Sequence, residues 1–327
     1  GKRLGPLFPL LKPPLTEFNA PGGMMLGLDD MPHIANVKKS WHSFRHIASL
    51  LLRYFWDRMR HHRGTRLTMG NALAARLLYS CQDAGVQLWA NAPMLRLTTE
   101  QGAVTGAVVE CKGEAVTVRA RRGVILASGG FSGNAEMREQ FIPFAENHVS
   151  LVSGGNVGDG ISNALALGAQ YDGENISNAG WVVVSVLEQP DGSLRKFPHL
   201  FLDRGKPGCI AVNSDGKRFG NESATNLVEP MHSSGSVPAH LICDHSFIKR
   251  YGLGMVRPGG IGLKKMLQAD YVVSAPSISE LADVIGANPE NLMATVARFN
   301  DQAEAGVDED FGRGGQASDF SMGDPGH

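Results

Sequence analysis

Cysteine is scarce in this sequence, and no two cysteines stand close together. The four cysteines are Cys81, Cys111, Cys209 and Cys243. There is no C-x-x-C pair, and although His240 and His245 flank Cys243, no second pair of ligands completes a zinc pattern. We therefore expect no metal site, and we interpret the cysteines as reduced thiols of a cytoplasmic protein.

Long apolar runs and a strong net charge are also missing. Because no stretch of about 18 apolar residues occurs, we expect no integral membrane span. The net charge of -1 at pH 7 gives no electrostatic reason to expect a nucleic-acid partner. With 327 residues, of which 43% are hydrophobic and 19% charged, the chain has the composition of a globular protein and the length for two domains.

A third absence concerns the glycine motif that binds dinucleotides. The sequence has 40 glycines but no G-x-G-x-x-G, and we predict no strand before residue 86. That motif presents the bare N–H groups of a helix N-terminus to a pyrophosphate. Its absence argues against a nicotinamide-dependent Rossmann enzyme.

Periodic apolar residues predict the helices and strands of the first half. Apolar residues recur every three or four positions over residues 34–60, which predicts one long amphipathic helix or two abutting helices. We interpret its apolar face as packed on a core and its basic face as solvated, with contact to an anionic membrane surface as the weaker alternative. A second helix is predicted over residues 72–84. The β-like segments that follow are Val86–Ala90, Leu95–Thr99, Val104–Glu110, Ala115–Ala120 and Val124–Ala127.

Turn and cap residues add further boundaries. Gln101-Gly102 and Lys112-Gly113 predict two hairpin turns. Helices are predicted over residues 160–167, over 279–286 after a serine cap, and over 289–304, where Pro289 follows the cap residue Asn288.

The most informative segment is the run from Gly123 to Arg138. It reads as an apolar strand, Val124–Ala127, then Ser128, the glycine pair Gly129-Gly130, and a helix start. In α/β folds, such a junction lets the backbone approach a ligand at the carboxyl edge of a sheet, although a tight packing turn explains the two glycines equally well. Further short motifs follow along the sequence at residues 155–160, 206–208 and 221–223.

Taken together, these segments resemble the flavoproteins related to fumarate reductase, and most closely their 3-ketosteroid dehydrogenase branch. The resemblance implies an α/β (α+β overall) fold with a partial FAD-binding domain that carries a β-hairpin excursion, and with part of an inserted capping domain. We place the first over residues 1–180 and the second over residues 181–327. The family's first strand–turn–helix and its last flavin-contacting segment have no counterpart, so we expect an internal fragment of a longer protein.

The resemblance also implies a cofactor and the residues that bind it. The strand end that approaches FAD in the family corresponds to Ala127, Ser128, Gly129 and Gly130. The family's G-D-G turn beside the cofactor corresponds to Asp159 and Gly160, and an N-cap role for Asp159 is equally compatible with the sequence.

The chemistry that the resemblance implies is hydride transfer between flavin N5 and a hydrophobic, steroid-like ketone or enone. A catalytic tyrosine ends the family's N-E-[SA]-x-x-Y motif, but here the motif ends at Asn226, which cannot take up a proton near neutral pH yet can hydrogen-bond a carbonyl. We therefore predict Asn226 and Glu222 as catalytic candidates, and a polar turn is the alternative for Glu222. A separate, unidentified electron acceptor is expected. A fumarate reductase-like ene reductase is one alternative function, and a non-catalytic fragment that cannot retain flavin is another.

Overall fold

The protein is described here by a computed structural model, which covers residues 1–14, 19–20, 23–152, 154–175, 178–200, 203–317, 319 and 323–324. It combines helices with small antiparallel sheets, in agreement with the predicted fold class. Contacts group the chain into two compact units, Gly1–Val124 and Ile125–His327. The domain boundary near residue 180 stays a prediction.

The described residues of the unit Gly1–Val124 form three α-helices and one sheet. The helices are α1 (Met31–Ala35), α2 (Trp41–Arg58) and α3 (Met69–Asp83). The segment 34–60 is therefore interrupted, because Ser40 starts α2 by accepting the Ser43 N–H with its side chain. The strands are β1 (Met94–Glu100), β2 (Ala103–Cys111) and β3 (Glu114–Arg119), paired antiparallel in sequence order.

The two predicted hairpin turns of this sheet are confirmed. Glu100 pairs with Ala103 across Gln101-Gly102, and Cys111 pairs with Glu114 across Lys112-Gly113. All four turn residues have positive φ, between 50° and 83°. Two-residue turns of this kind match the right-handed twist of the strands that they join, and glycine at the second position makes them accessible.

Two of the predicted strands are wrong. Residues 86–90 and 124–127 have no strand partner in the described chain, and the side chain of Ile125 is 92% exposed. An apolar run becomes a strand only when a neighbouring backbone supplies hydrogen bonds.

The expected core packing of α2 is also wrong in the described structure. Trp41, Leu52 and Phe55 on this helix are each more than 60% exposed. None of the described helices is both long enough and apolar enough to cross a membrane.

In the unit Ile125–His327, the described residues form four strands in two antiparallel pairs. One pair is the hairpin of β4 (Val183–Glu188) and β5 (Leu194–His199), and the other joins β6 (Cys209–Val212) to β7 (His240–Cys243). Its described helices are α4 (Ala135–Phe141), α5 (Asp159–Leu165), α6 (Val228–Ser233), α7 (His245–Arg250), α8 (Leu263–Gln268), α9 (Ile278–Ile285) and α10 (Pro289–Ala305).

The strongest local predictions in this unit are α9 and α10, and both are confirmed. Ser277 caps α9 and Asn288 caps α10, each accepting a backbone N–H three residues ahead. Both helices end at a glycine in the left-handed region, Gly286 and Gly306. Their apolar faces pack on the β6–β7 pair in a core that includes Ile210, Val212, Ile242, Ala282 and Leu292.

Candidate active site

A cavity of about 1880 Å³ lies in the unit Ile125–His327. Its wall is mostly apolar and includes Phe131, Trp181, Ile242, Leu267 and Val296. The wall also contains Gly130, from the segment predicted to bind the cofactor, together with Ser185, His199 and Tyr271. The cavity therefore combines a glycine turn, an apolar enclosure and a small set of polar groups, which is the usual composition of a ligand site.

The structure brings the two predicted cofactor segments together. The Gly158 N–H donates to the Gly130 carbonyl at 3.1 Å, and the Gly133 N–H donates to the Asn156 carbonyl at 2.8 Å. At Gly160, an added Cβ would lie 2.4 Å from the Ser128 Oγ. The segment 128–133 and the segment 156–160 are thus one packed substructure.

The backbone of the glycine turn suits an acceptor-rich ligand. Residues 127–130 are exposed, and their N–H groups have no acceptor among the described residues. FAD presents phosphate and ring carbonyl oxygens, which accept hydrogen bonds from groups of this kind. The residues Ala127, Ser128, Gly129 and Gly130 therefore fit the cofactor that the resemblance implies.

Asp159 is the first residue of α5, and its carboxylate is exposed. The N-cap of that helix is Gly158, which has φ 85°, so the alternative of Asp159 as the N-cap is wrong by one position. The side chain of Asp159 makes no hydrogen bond to a described residue, and it stays a predicted contact of the cofactor.

Glu222 is fully buried in a network of cations. Its carboxylate accepts hydrogen bonds from Arg218 at 2.8 and 2.9 Å, from Arg313 at 3.1 Å, and from the Ala211 N–H at 3.1 Å. These partners occupy both carboxylate oxygens, and the cavity wall does not include Glu222. A catalytic role for Glu222 stays a prediction.

Asn226 lies on the surface just before α6. Its Nδ2 donates to the Glu229 Oε2 at 3.0 Å, and its Oδ1 accepts the Glu229 N–H at 3.3 Å. Asn226 is exposed and is not among the cavity-lining residues. The structure therefore places neither predicted catalytic candidate on the cavity wall, and the role of Asn226 also stays a prediction.

Sequence reasoning missed a line of four polar side chains, of which Ser185, His199 and Tyr271 lie on the cavity wall. Tyr271 Oη lies 2.5 Å from Ser185 Oγ, Ser185 Oγ lies 2.7 Å from His199 Nε2, and His199 Nδ1 lies 2.7 Å from Asp203 Oδ2. We call this line the Tyr271–Asp203 array. Its ends are 68 residues apart in the sequence (271 minus 203), and no spacing pattern links its members.

The β4–β5 hairpin sets the centre of the array. The turn at Asp191-Gly192 is local, since Asp191 Oδ1 accepts the Ser193 N–H at 2.9 Å and Gly192 has φ 78°. The hairpin register pairs His199 with Val183. Ser185 is two residues along from Val183, so Ser185 and His199 are diagonal neighbours on one face of the sheet.

Backbone N–H groups hold the Asp203 end of the array. Asp203 Oδ2 also accepts the Gly254 N–H at 2.9 Å, and Asp203 Oδ1 accepts the Arg204 N–H at 2.8 Å. Burial acts to raise the pKa of Asp203, but these bonds and the one from His199 outweigh it and hold the pKa below its usual value. Asp203 is therefore a carboxylate at neutral pH.

The phenol of Tyr271, at the other end of the array, has a raised pKa. Burial raises the pKa of Tyr271, and the hydrogen bonds with Ser185 and with the Met255 N–H only partly offset this effect. Tyr271 therefore carries its proton at neutral pH, and its oxygen remains on the cavity wall.

Comparison with known proteins identifies the family. The chain belongs to the FAD binding domain family, whose model matches residues 16–325. The resemblance to flavoproteins is thereby confirmed, and the cofactor that the family implies is FAD.

Two curated relatives and one solved structure are similar over nearly the whole chain. The chain is 36% identical over 328 residues to the 4-oxocyclohex-2-ene-1-carboxylate 5-dehydrogenase of Sinomonas cyclohexanicum, covering 97% of this chain and 55% of the relative. It is 33% identical over 344 residues to the 3-oxosteroid 1-dehydrogenase of Mycolicibacterium smegmatis, covering 99% of this chain and 58% of the relative.

The similar structure is the crystal structure of 3-ketosteroid delta1-dehydrogenase from Sterolibacterium denitrificans in complex with 1,4-androstadiene-3,17-dione. It superposes with a TM-score of 0.83 at 31% sequence identity, and the match covers 99% of this chain and 59% of that one. The chain thus spans somewhat more than half the length of these relatives.

Proposed function

We propose that the protein is an FAD-dependent oxidoreductase that acts on a CH–CH group next to a ketone. The observation that carries this proposal is that one cavity is lined by Gly130, at the predicted cofactor turn, and by the phenol of Tyr271. Bound FAD would supply an acceptor for hydride at its N5 position. The residues that would hold it are Ala127, Ser128, Gly129, Gly130, Asp159 and Gly160.

The substrate that we propose is a small hydrophobic ketone or enone with a ring system, as in a 3-oxosteroid. The apolar wall favours burial of a hydrocarbon skeleton over that of a charged metabolite. The cavity is larger than the roughly 300–1,000 Å³ of ordinary ligand pockets, which leaves room for a polycyclic ligand beside a flavin ring. The names of the relatives support the ring ketone, since each names a ring compound with an oxo group; one of the two compounds also carries a carboxylate.

A direct test is to mix flavin-loaded protein anaerobically with a 3-oxosteroid and with cyclohexanone. We expect the flavin absorbance at about 450 nm to fall with one of them, because the ketone donates hydride to the cofactor. A flavin that stays oxidised with every ketone, but is reoxidised by fumarate after chemical reduction, would favour the ene reductase alternative. Protein that retains no flavin would favour the non-catalytic alternative.

The remaining partners follow from this chemistry. Reduced flavin must be reoxidised, so we propose a separate electron acceptor, and we propose the cytoplasm as the location. A peripheral membrane contact is a second proposal, which the exposed side chains of Trp41, Leu52 and Phe55 on α2 favour. Flotation with anionic vesicles tests it, and protein that stays at the bottom of the gradient would contradict it.

A further inference from the structure

We propose that Tyr271 is the catalytic base that removes the α-proton of the ketone, and that Ser185, His199 and Asp203 are positioning residues that carry its own proton away. This inference rests on the proposed function and identifies its base. Tyr271 fills the role of the base, which the motif ending at Asn226 leaves open because a carboxamide has no basic site near neutral pH.

The hydrogen bonds of the array all run in one direction. The Asp203 carboxylate accepts only, so His199 donates to it from Nδ1. In the neutral imidazole, Nε2 is then an acceptor, and the only hydrogen that Ser185 has is directed to it. Ser185 Oγ in turn accepts from the phenol of Tyr271 at 2.5 Å. Every proton in the array therefore points along it toward Asp203.

This direction makes the Tyr271 oxygen a proton acceptor for a ligand in the cavity. As the α C–H bond breaks, its proton passes to Tyr271 Oη, the phenolic proton passes to Ser185 Oγ, and the serine proton passes to His199 Nε2. The electron pair of the C–H bond stays on the substrate as the enolate. The positive charge that forms on His199 is balanced by Asp203, 2.7 Å away.

Burial protects the inner part of the proton path from solvent. His199 is 4% exposed and Asp203 is 3% exposed. The Gly254 N–H and the Arg204 N–H hold the carboxylate in place, and the side chain of Arg204 donates to the His199 carbonyl at 2.8 Å. The array is thus held by backbone groups at Asp203, and a substrate in the cavity can reach the Tyr271 oxygen.

The test separates proton removal from oxidation. Exchange of the ketone α-hydrogen with D2O is followed by NMR, and flavin reduction is followed anaerobically in the same preparations, again with a 3-oxosteroid and cyclohexanone. We expect Tyr271→Phe to slow both processes by about 100-fold or more, the range of general base catalysis. Ser185→Ala should slow both, and Ser185→Thr, which restores the hydroxyl on a strand, should recover most of the lost rate.

Tyr171→Phe is the matched control. Tyr171 packs on Phe131 and Phe141 in the same unit but is not among the cavity-lining residues. We expect this variant to exchange at the wild-type rate. Because the Ser185→Ala and Ser185→Thr pair depends on one hydroxyl, it remains informative if Tyr271→Phe fails to fold.

The outcomes distinguish this inference from the function on which it rests. If ketones reduce the flavin of the wild type and of Tyr271→Phe at equal rates, the base is another group and the inference is wrong while the oxidoreductase function stands. Equal exchange rates in Ser185→Ala and Ser185→Thr would contradict the proton relay through Ser185 but not the role of Tyr271 as the base. If no ketone exchanges or reduces the wild-type flavin, the proposed function fails and the inference fails with it.

Discussion

Gly129 and Gly130 are neighbours in the sequence, but the space around them differs. Gly129 has φ 90°, and an added Cβ would lie 2.5 Å from the Asn156 Oδ1. Gly130 has no heavy atom within 4 Å of that position and lines the cavity. Glycine is therefore required by the fold at Gly129, whereas at Gly130 the protein itself leaves room for a side chain.

This difference allows the cofactor role of the turn to be tested. We expect Gly130→Val to lower the flavin content at least several-fold with little change in thermal stability, because the new side chain projects where a ligand would bind. Gly129→Val should lower the free energy of unfolding by about 1–3 kcal/mol through backbone strain. Flavin content is measured by absorbance and stability by thermal unfolding.

Gly154→Val is a suitable control, since Gly154 also has open surroundings but is not among the cavity-lining residues. Normal flavin content in Gly130→Val would mean that the glycine pair is only a packing turn.

Single residues also show that a motif does not fix a role. Glu222 and Asn226 belong to one short motif, yet Glu222 is fully buried among arginines and Asn226 is exposed beside Glu229. The motif specifies the residue types, whereas the neighbours that each side chain meets come from distant parts of the chain.

At the level of elements, the Glu222 network joins two regions that are far apart in the sequence, residues 209–222 and residues 308–313. Arg218 donates to both Glu222 and Asp308, and Arg313 donates to Glu222 and to the Cys209 carbonyl at the start of β6. Burial acts to lower the pKa of Arg218, but its bonds to Glu222 and Asp308 raise it above the usual value. The guanidinium is therefore always charged and needs its carboxylates.

We expect Glu222→Gln to lower the free energy of unfolding by about 3–5 kcal/mol, because removing one partner leaves buried cations without compensation. The measurement is urea unfolding at pH 7. Glu304→Gln, at an exposed position on α10, should change stability by less than about 0.5 kcal/mol. A Glu222→Gln variant that is as stable as the wild type but inactive would instead support a catalytic role for Glu222.

For the whole molecule, the carboxylates with lowered pKa values determine how stability responds to acid. Burial acts to raise the pKa of Asp203 and of Asp308, but hydrogen bonds from His199 and from Arg218, among others, leave both pKa values below 3.8. A group whose pKa is lower in the folded state contributes its full stability above its unfolded pKa, which is about 4 for these carboxylates. That stability is lost as the pH falls through the folded pKa.

We therefore expect the melting temperature to fall steeply below about pH 4. Asp203→Asn should be less stable at pH 7 and should show a shallower loss in acid, because one of the linked protons is gone. The check is thermal unfolding of both proteins between pH 7 and pH 3. Parallel curves for the two proteins would mean that Asp203 does not contribute to the acid response.

The sequence by itself determined the features that depend on a few consecutive residues. The caps of α9 and α10, the two glycine hairpin turns of the first sheet, the glycine turn before α4 and the family all follow from local patterns, because turn and cap geometry is decided within about four residues. Only the tertiary structure decided which apolar runs found strand partners, which carboxylates became buried, and that Ser185, His199, Asp203 and Tyr271 meet in one hydrogen-bonded array. Those outcomes depend on contacts between residues that are far apart in the chain, and no local pattern encodes the distance between them.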